Sequence, residues 1–265
     1  MSAPVLSVRD LTVTLRSGRH WLTAVDGAGF DLKPAEVLAL VGESGCGKTK
    51  VAEALLGLIP PALGSVRAQR IELAGQELSG LREPGLRRIR GHEISMVFQE
   101  PLTALDPVFR VGSQLAWIYR RHRGMDRGEA REAAAGMLRK VGIADATQML
   151  DRYPHELSGG MRQRVVIAMA MACRPRVLIA DEPTTALDVT TQAQVMGHLM
   201  TLAREAGTAI LLITHDLGLV AHYADRALVM RRGRILEDAL VGALFRNPGH
   251  PYTAELLAAT RGVNK

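Results

Sequence analysis

Cysteine is scarce in this chain. Only Cys46 and Cys173 occur among its 265 residues, and neither sits in a CxxC pair. Nothing therefore suggests a disulfide framework or a zinc site, and a reducing cytosolic compartment is the simpler expectation. Long apolar runs are missing too. The longest, VVIAMAMAC, stops at Arg174 and falls short of the ~20 residues that span a bilayer. The amino-terminal stretch MSAPVLSVRDLTVTLRSG has no basic segment followed by an apolar one, so it does not read as a signal peptide. Repeats, low-complexity tracts and long linkers are absent as well. The expectation is a soluble chain whose membrane role, if it has one, is peripheral.

What is present is ample apolar content for a core and a mildly basic balance of +6 with a pI near 9.7. That charge suits nucleotides, nucleic acid or an anionic membrane surface, and selects none of them; it also suits ordinary solubility. Three aliphatic, unalternating runs stand out: VLALVG (Val37–Gly42), VLIAD (Val177–Asp181) and AILLITH (Ala209–His215). They read as strands buried on both faces of a parallel sheet. The helical stretch TTQAQVMGHLMTLAREAG precedes the third and ends at a glycine, giving a strand–helix–strand unit. The amino-terminal segments LSVRDLTVTL and GAGFDL alternate instead, which predicts an antiparallel layer. Between about Gly112 and Tyr153 strand signals vanish, and Ala and Leu recur at helical spacing, as in an inserted helical subdomain. The tail reads as a helix, a Pro/Gly/His turn and a final helix.

The chemistry-bearing stretch is Gly42-Glu43-Ser44-Gly45-Cys46-Gly47-Lys48-Thr49, a match to GxxxxGK[ST] directly after a strong strand. Its glycines let backbone N–H groups wrap phosphate oxygens, Lys48 neutralises the terminal phosphates, and the Thr49 hydroxyl suits Mg2+. Cys46 reads as a small filler of that loop. Asp181 closes the VLIAD strand, where it can hold the metal, and Glu182 beside it can orient and deprotonate an attacking water; the alternative is that both merely cap the next helix. His215 ends AILLITH at the carboxyl end of a core strand, where open sheets receive ligands. A second tight glycine turn, ELSGGMRQR (Glu156–Arg164), opens another helix. One chain thus carries two anion cradles.

The phosphate loop, FQEP with Gln99, LSGGMRQR, LIADEP, ALD with Asp188 and ITHD follow in the order and spacing of ABC-type ATPase domains, which essentially the whole chain resembles. The resemblance implies an α/β fold: a P-loop ABC-type ATPase with a parallel-sheet core, an antiparallel N-terminal β layer and an inserted helical subdomain. It implies one domain over residues 1–265, with 1–98 and 161–236 as the nucleotide-binding core, 99–160 as the helical subdomain and 237–265 as a short helical tail. It also explains the second cradle. Two such subunits meet head to tail, so Ser158, Gly159 and Gly160 would contact the γ-phosphate held by the partner's loop. Gln99 would sense Mg2+ and water and link to a transmembrane partner, unless it is only a solvated loop amide. Asp188 would cross the dimer interface, and His215 would touch the γ-phosphate. Trp21 is the nearest candidate for stacking on adenine, with His20 next and a packing role for Trp21 also open. Lys50 departs from the family's usual small, polar or aliphatic residue and is expected to point away along its helix.

FQEPLTALDPVFRVGSQL, IADEPTTALDVTTQAQV and the tail LFRNPGHPYTAELLAA look like the ATP-binding subunits of oligopeptide, dipeptide and nickel importers. The wording resembles the first of the two ATPase kinds such importers employ, so a heterodimer with a second homologous ATPase is expected. The other implied partners are two transmembrane permeases and an extracellular or periplasmic binding protein, with no nucleic acid and the membrane reached only through permeases. The chain would sit peripherally on the cytoplasmic face of the cell (inner) membrane. ATP and Mg2+ are the implied cofactors. No cysteine follows Cys173, so no iron–sulfur cluster of the kind borne by longer relatives is expected. The short form resembles the nickel and metallophore branch, while truncated peptide-type subunits exist too, which leaves peptide and metal open. The alternative function is an accessory ATPase of a soluble phosphonate C–P lyase assembly.

Overall fold

The computed structural model describes residues 3–18, 20–185 and 187–262, which fall into two compact units: residues 3–87 with 209–262, and residues 88–208. The last three residues of the tail, 263–265, lie outside the described ones.

The first unit opens with β1 (Leu6–Ser17), β2 (His20–Leu32), β3 (Val37–Val41), α1 (Lys48–Leu55), β4 (Gly64–Arg67), β5 (Arg70–Leu73), β6 (Gln76–Glu77) and α2 (Glu83–Ile89), whose end crosses the boundary. In the second follow β7 (Ile94–Val97), α3 (Pro101–Ala104), α4 (Val111–Arg123), α5 (Arg127–Lys140), α6 (Ala146–Met149), α7 (Gly159–Met171), β8 (Val177–Asp181) and α8 (Val189–Ala206). The first unit resumes with β9 (Ala209–Ile213), α9 (Leu217–Tyr223), β10 (Arg226–Arg231), β11 (Arg234–Leu240), α10 (Val241–Arg246) and α11 (Pro251–Gly262).

Two kinds of sheet coexist in the first unit because two hydrophobic patterns do. β1 buries Leu6, Val8, Leu11 and Val13 and exposes Arg9 and Asp10 between them. It pairs antiparallel with β2, β4 and β5, and β6 completes the five-stranded layer beside β5. By contrast, β9 and the four residues Leu38–Val41 of β3 are buried throughout, as strands covered on both faces must be. β3 runs parallel to both β10 and β9, while β11 returns antiparallel along β10. The tail helices pack on this sheet: Leu244, Tyr252 and Leu257 share a core cluster with Val41, Val220 and Val229.

In the second unit β7 and β8 form a parallel pair, buried at every position. Among the described residues the chain between them is helical wherever it is regular. α5 begins with a reciprocal capping box between Asp126 and Glu129, and Ala130, Ala134 and Leu138 line its buried face. α7 is buried on most sides, with Ile167 and Met171 among the fully enclosed side chains.

Candidate nucleotide site

The loop between β3 and α1 is shaped by glycine. Gly42, Gly45 and Gly47 take φ of 155°, 78° and 113°, a region that side chains rarely adopt. Two of them also lack room. A Cβ on Gly42 would lie 2.1 Å from the Met230 carbonyl oxygen, and one on Gly47 would lie 2.3 Å from that of Ala24. Lys48 folds back over the loop, its Nζ donating to the carbonyls of Gly42 at 2.8 Å and Glu43 at 2.9 Å. Cys46 is buried beside it, its thiol pushed up by burial, and the Gly233 N–H donates to the Cys46 carbonyl at 2.9 Å. Glu43, Ser44 and Gly45 stay exposed, with Thr49 half-buried on the first turn of α1. N–H groups at such a helix start have no intrahelical acceptor and are ready for an anion. Lys50 points along α1 as expected and pairs with Glu53 at 2.7 Å.

Strand register sets what stands near the end of β3. Leu40 is paired with Ile213 of β9, so Gly42 and His215 each follow two residues beyond a matched pair at the same sheet edge. His215 is exposed there, and Asp216 caps α9 by accepting from the N–H groups of Gly218 and Leu219. Trp21 lies on β2 opposite Arg16, 60 % exposed, with His20 exposed beside it.

The second unit repeats the register logic. Val97 of β7 is paired with Ala180 of β8, so Gln99 and Glu182 each follow two residues later. They meet: Gln99 Nε2 donates to Glu182 Oε2 at 3.3 Å, and Thr185 Oγ1 donates to the same oxygen at 2.8 Å. Asp181 is 2 % exposed at the strand's end. Glu182 itself has φ 46°, a left-handed conformation uncommon outside glycine and asparagine, of the strained kind that concentrates at functional positions. Sequence motifs pointed to Gln99 and Glu182; they gave no sign of Thr185 as the group steadying the carboxylate.

The second glycine turn lies in the same unit. Ser158 caps α7, its Oγ accepting from the Met161 N–H at 3.3 Å, and Gly159 and Gly160 form the first turn. A Cβ on Gly160 would lie 2.7 Å from the Thr191 methyl. Thr191 belongs to the first turn of α8, where its N–H donates to Asp188 Oδ1 at 2.9 Å. That bond holds the exposed Asp188 carboxyl below the usual aspartate range. The Ser158 turn and Asp188 are therefore neighbours.

A glycine-shaped phosphate loop at the end of a parallel strand defines the class: a phosphate-loop nucleotide-binding α/β protein. Comparison with known proteins narrows it. Residues 25–185 match the family model described as ABC transporter. The dipeptide transport ATP-binding protein DppD of Bacillus subtilis is 47% identical over 255 residues, 96% of this chain and 76% of that protein. A putative peptide import ATP-binding protein of Brucella melitensis is 47% identical over 259 residues, 96% of this chain and 77% of that one. The peptidoglycan transport ATP-binding protein YejF of Agrobacterium fabrum is 48% identical over 256 residues, and this chain spans only 47% of its length. A dimeric structure of a post-hydrolysis state of the ATP-binding cassette MJ0796, bound to ADP and Pi, aligns with a TM-score of 0.78 at 26% identity, covering 89% of this chain and 98% of that one. The chain belongs to the ABC transporter family and is an ATP-binding cassette ATPase.

Proposed function

We propose that this chain is the energy-coupling subunit of an importer of peptides or peptide-like solutes, hydrolysing ATP to switch the access of its permeases. The observation that carries the reading is the phosphate loop, with its three glycines at positive φ and Lys48 drawn across it. Peptides are favoured over metal chelates because the relatives above are named for peptide, dipeptide and peptidoglycan transport.

The residues divide the work. N–H groups of Gly42 to Thr49 cradle the phosphates, Lys48 offsets their charge, Trp21 stacks on adenine and His215 contacts the γ-phosphate. Glu182 accepts the proton of a water in line with the γ-phosphorus. The new P–O bond forms as the bond to the ADP oxygen breaks, and that oxygen keeps the electron pair, giving ADP and phosphate. The carboxylate is oriented for this by bonds from Gln99 and Thr185. The Thr49 hydroxyl, Asp181 carboxylate and Gln99 amide are oxygen donors of the hard kind that suits Mg2+ and are assigned to it. When bound, the ion neutralises charge on the β- and γ-phosphates.

Ser158, Gly159 and Gly160 serve a neighbour's nucleotide. Ser158 and Gly159 are exposed and Gly160 half-buried where the turn opens α7, and N–H groups there lack helical acceptors. Asp188, beside that turn, would meet the same partner, which we take to be a second, non-identical cassette. Permeases have a separate place to dock. A cleft of about 620 Å³ between α4 and α7 is lined by Phe109, Trp117, Ile118 and Met169. Phe109 and Trp117 are more than half exposed, and Gln114 fastens the loop that presents Phe109 by donating to its carbonyl at 2.8 Å. Such an exposed aromatic patch marks an interaction surface. No helix among the described residues is long and apolar enough to cross a membrane, so the inner face of the membrane would be reached through those permeases.

The test is Glu182→Gln in the complex assembled with its permeases. ATP binding should persist while turnover falls by about 10²-fold or more, the loss expected when a general base is removed. Near-normal hydrolysis would contradict the assignment.

A further inference from the structure

The carboxyl-terminal turn is tied into the phosphate loop. Glu237 of β11 gathers it: the N–H groups of Gly249 and His250 donate to the carboxylate at 2.7 and 3.0 Å, and the Thr253 hydroxyl donates at 2.5 Å. Burial alone would raise this carboxyl, but those three donors hold it below the ordinary glutamate value. Tyr252 is fixed by the same turn, its N–H donating to His250 Nδ1 at 3.1 Å. Only 3 % of it is exposed.

Tyr252 then packs at the end of the strand that leads into the loop. Its ring packs in one cluster with Val41, the residue before Gly42, and Val229. The Arg231 guanidinium lies 4.3 Å above the ring, a cation–π contact. Between Val229 and Arg231 stands Met230, the residue against which both Gly42 and Gly47 are closely packed. The β10–β11 turn is thus a floor for the loop, joined to it again by Gly233 and Cys46. The Tyr252 hydroxyl is buried and closes no hydrogen bond. Burial pushes this phenol up.

We propose that the segment 247–253 is a brace that pre-shapes the phosphate loop, with Tyr252 as the positioning residue whose ring packs in the Val41–Val229 cluster that supports the loop. The proposal rests on the reading that the loop binds ATP. A loop already held in its binding shape loses less freedom when the nucleotide enters, so the brace should be felt as affinity.

The experiment measures ATP dissociation constants of the full chain by equilibrium dialysis, together with thermal midpoints. Tyr252→Leu keeps an apolar side chain and removes the ring with its cation–π contact, while Tyr252→Phe keeps both and removes only the unbonded hydroxyl. Tyr252→Leu should weaken ATP binding about three- to tenfold at a temperature where its thermal midpoint shows it folded, and Tyr252→Phe should bind like the wild type. Glu237→Gln, which loosens the latch, should weaken binding in the same direction as Tyr252→Leu. In the assembled complex Tyr252→Leu should raise KM for ATP and spare kcat. Wild-type affinity in both Tyr252→Leu and Glu237→Gln would overturn the brace. Lys48→Ala separates the two claims: if that variant binds ATP like the wild type, the nucleotide reading of the loop fails. If it alone loses binding, only the brace fails.

Discussion

Glycine at position 47 illustrates how much of the site is fixed by single residues. Its φ of 113° and the Ala24 carbonyl standing where a side chain would begin leave no room for alanine. Gly47→Ala should cost about 1–3 kcal/mol in urea unfolding from backbone strain alone, more once the clash is added, and should abolish ATP binding. A variant that kept wild-type stability and affinity would show that the loop is not built as described. These glycines were legible in the sequence because their spacing encodes a backbone shape. Glu182 was legible as a carboxylate, but not its φ of 46° or its bond from Thr185, since neither leaves a trace in spacing. Tyr252 was legible only as part of a tail motif. Its place at the end of the strand that leads into the loop depends on how residues more than two hundred positions apart pack.

At the scale of elements, the runs that read as buried strands are β3, β8 and β9, each at or within a residue or two of the expected bounds. All are aliphatic, five residues long and bounded by loop residues, a length and pattern that suit a strand covered on both faces. In β10 the apolar stretch Ala227–Met230 is only four residues long and flanked by two arginines, which masks it, and β4 to β6 are too short to show a period. Helix starts were less visible than their sequences suggest, because a cap is known only once the chain has turned. Asp188 at the start of α8 is the clearest case, with a carboxyl held low by the Thr191 N–H. A depressed folded value means the stabilisation is fully present above the unfolded aspartate pKa and is lost as pH falls through the folded one. The thermal midpoint of the wild type should therefore exceed that of Asp188→Asn near neutrality and converge with it in acid. A gap that persisted unchanged into strong acid would remove the charge of Asp188 from the account.

For the whole molecule, the family is settled by the matched model and by relatives that this chain covers to three quarters of their length. The central claim is larger: that the ATPase drives a peptide importer as one of two unlike cassettes. The most direct measurement is to tag the chain, solubilise membranes gently, and identify what co-purifies by mass spectrometry. The account predicts two polytopic permeases and a second, non-identical cassette carrying its own LSGG turn. Recovery of soluble enzymes with no permease would contradict it.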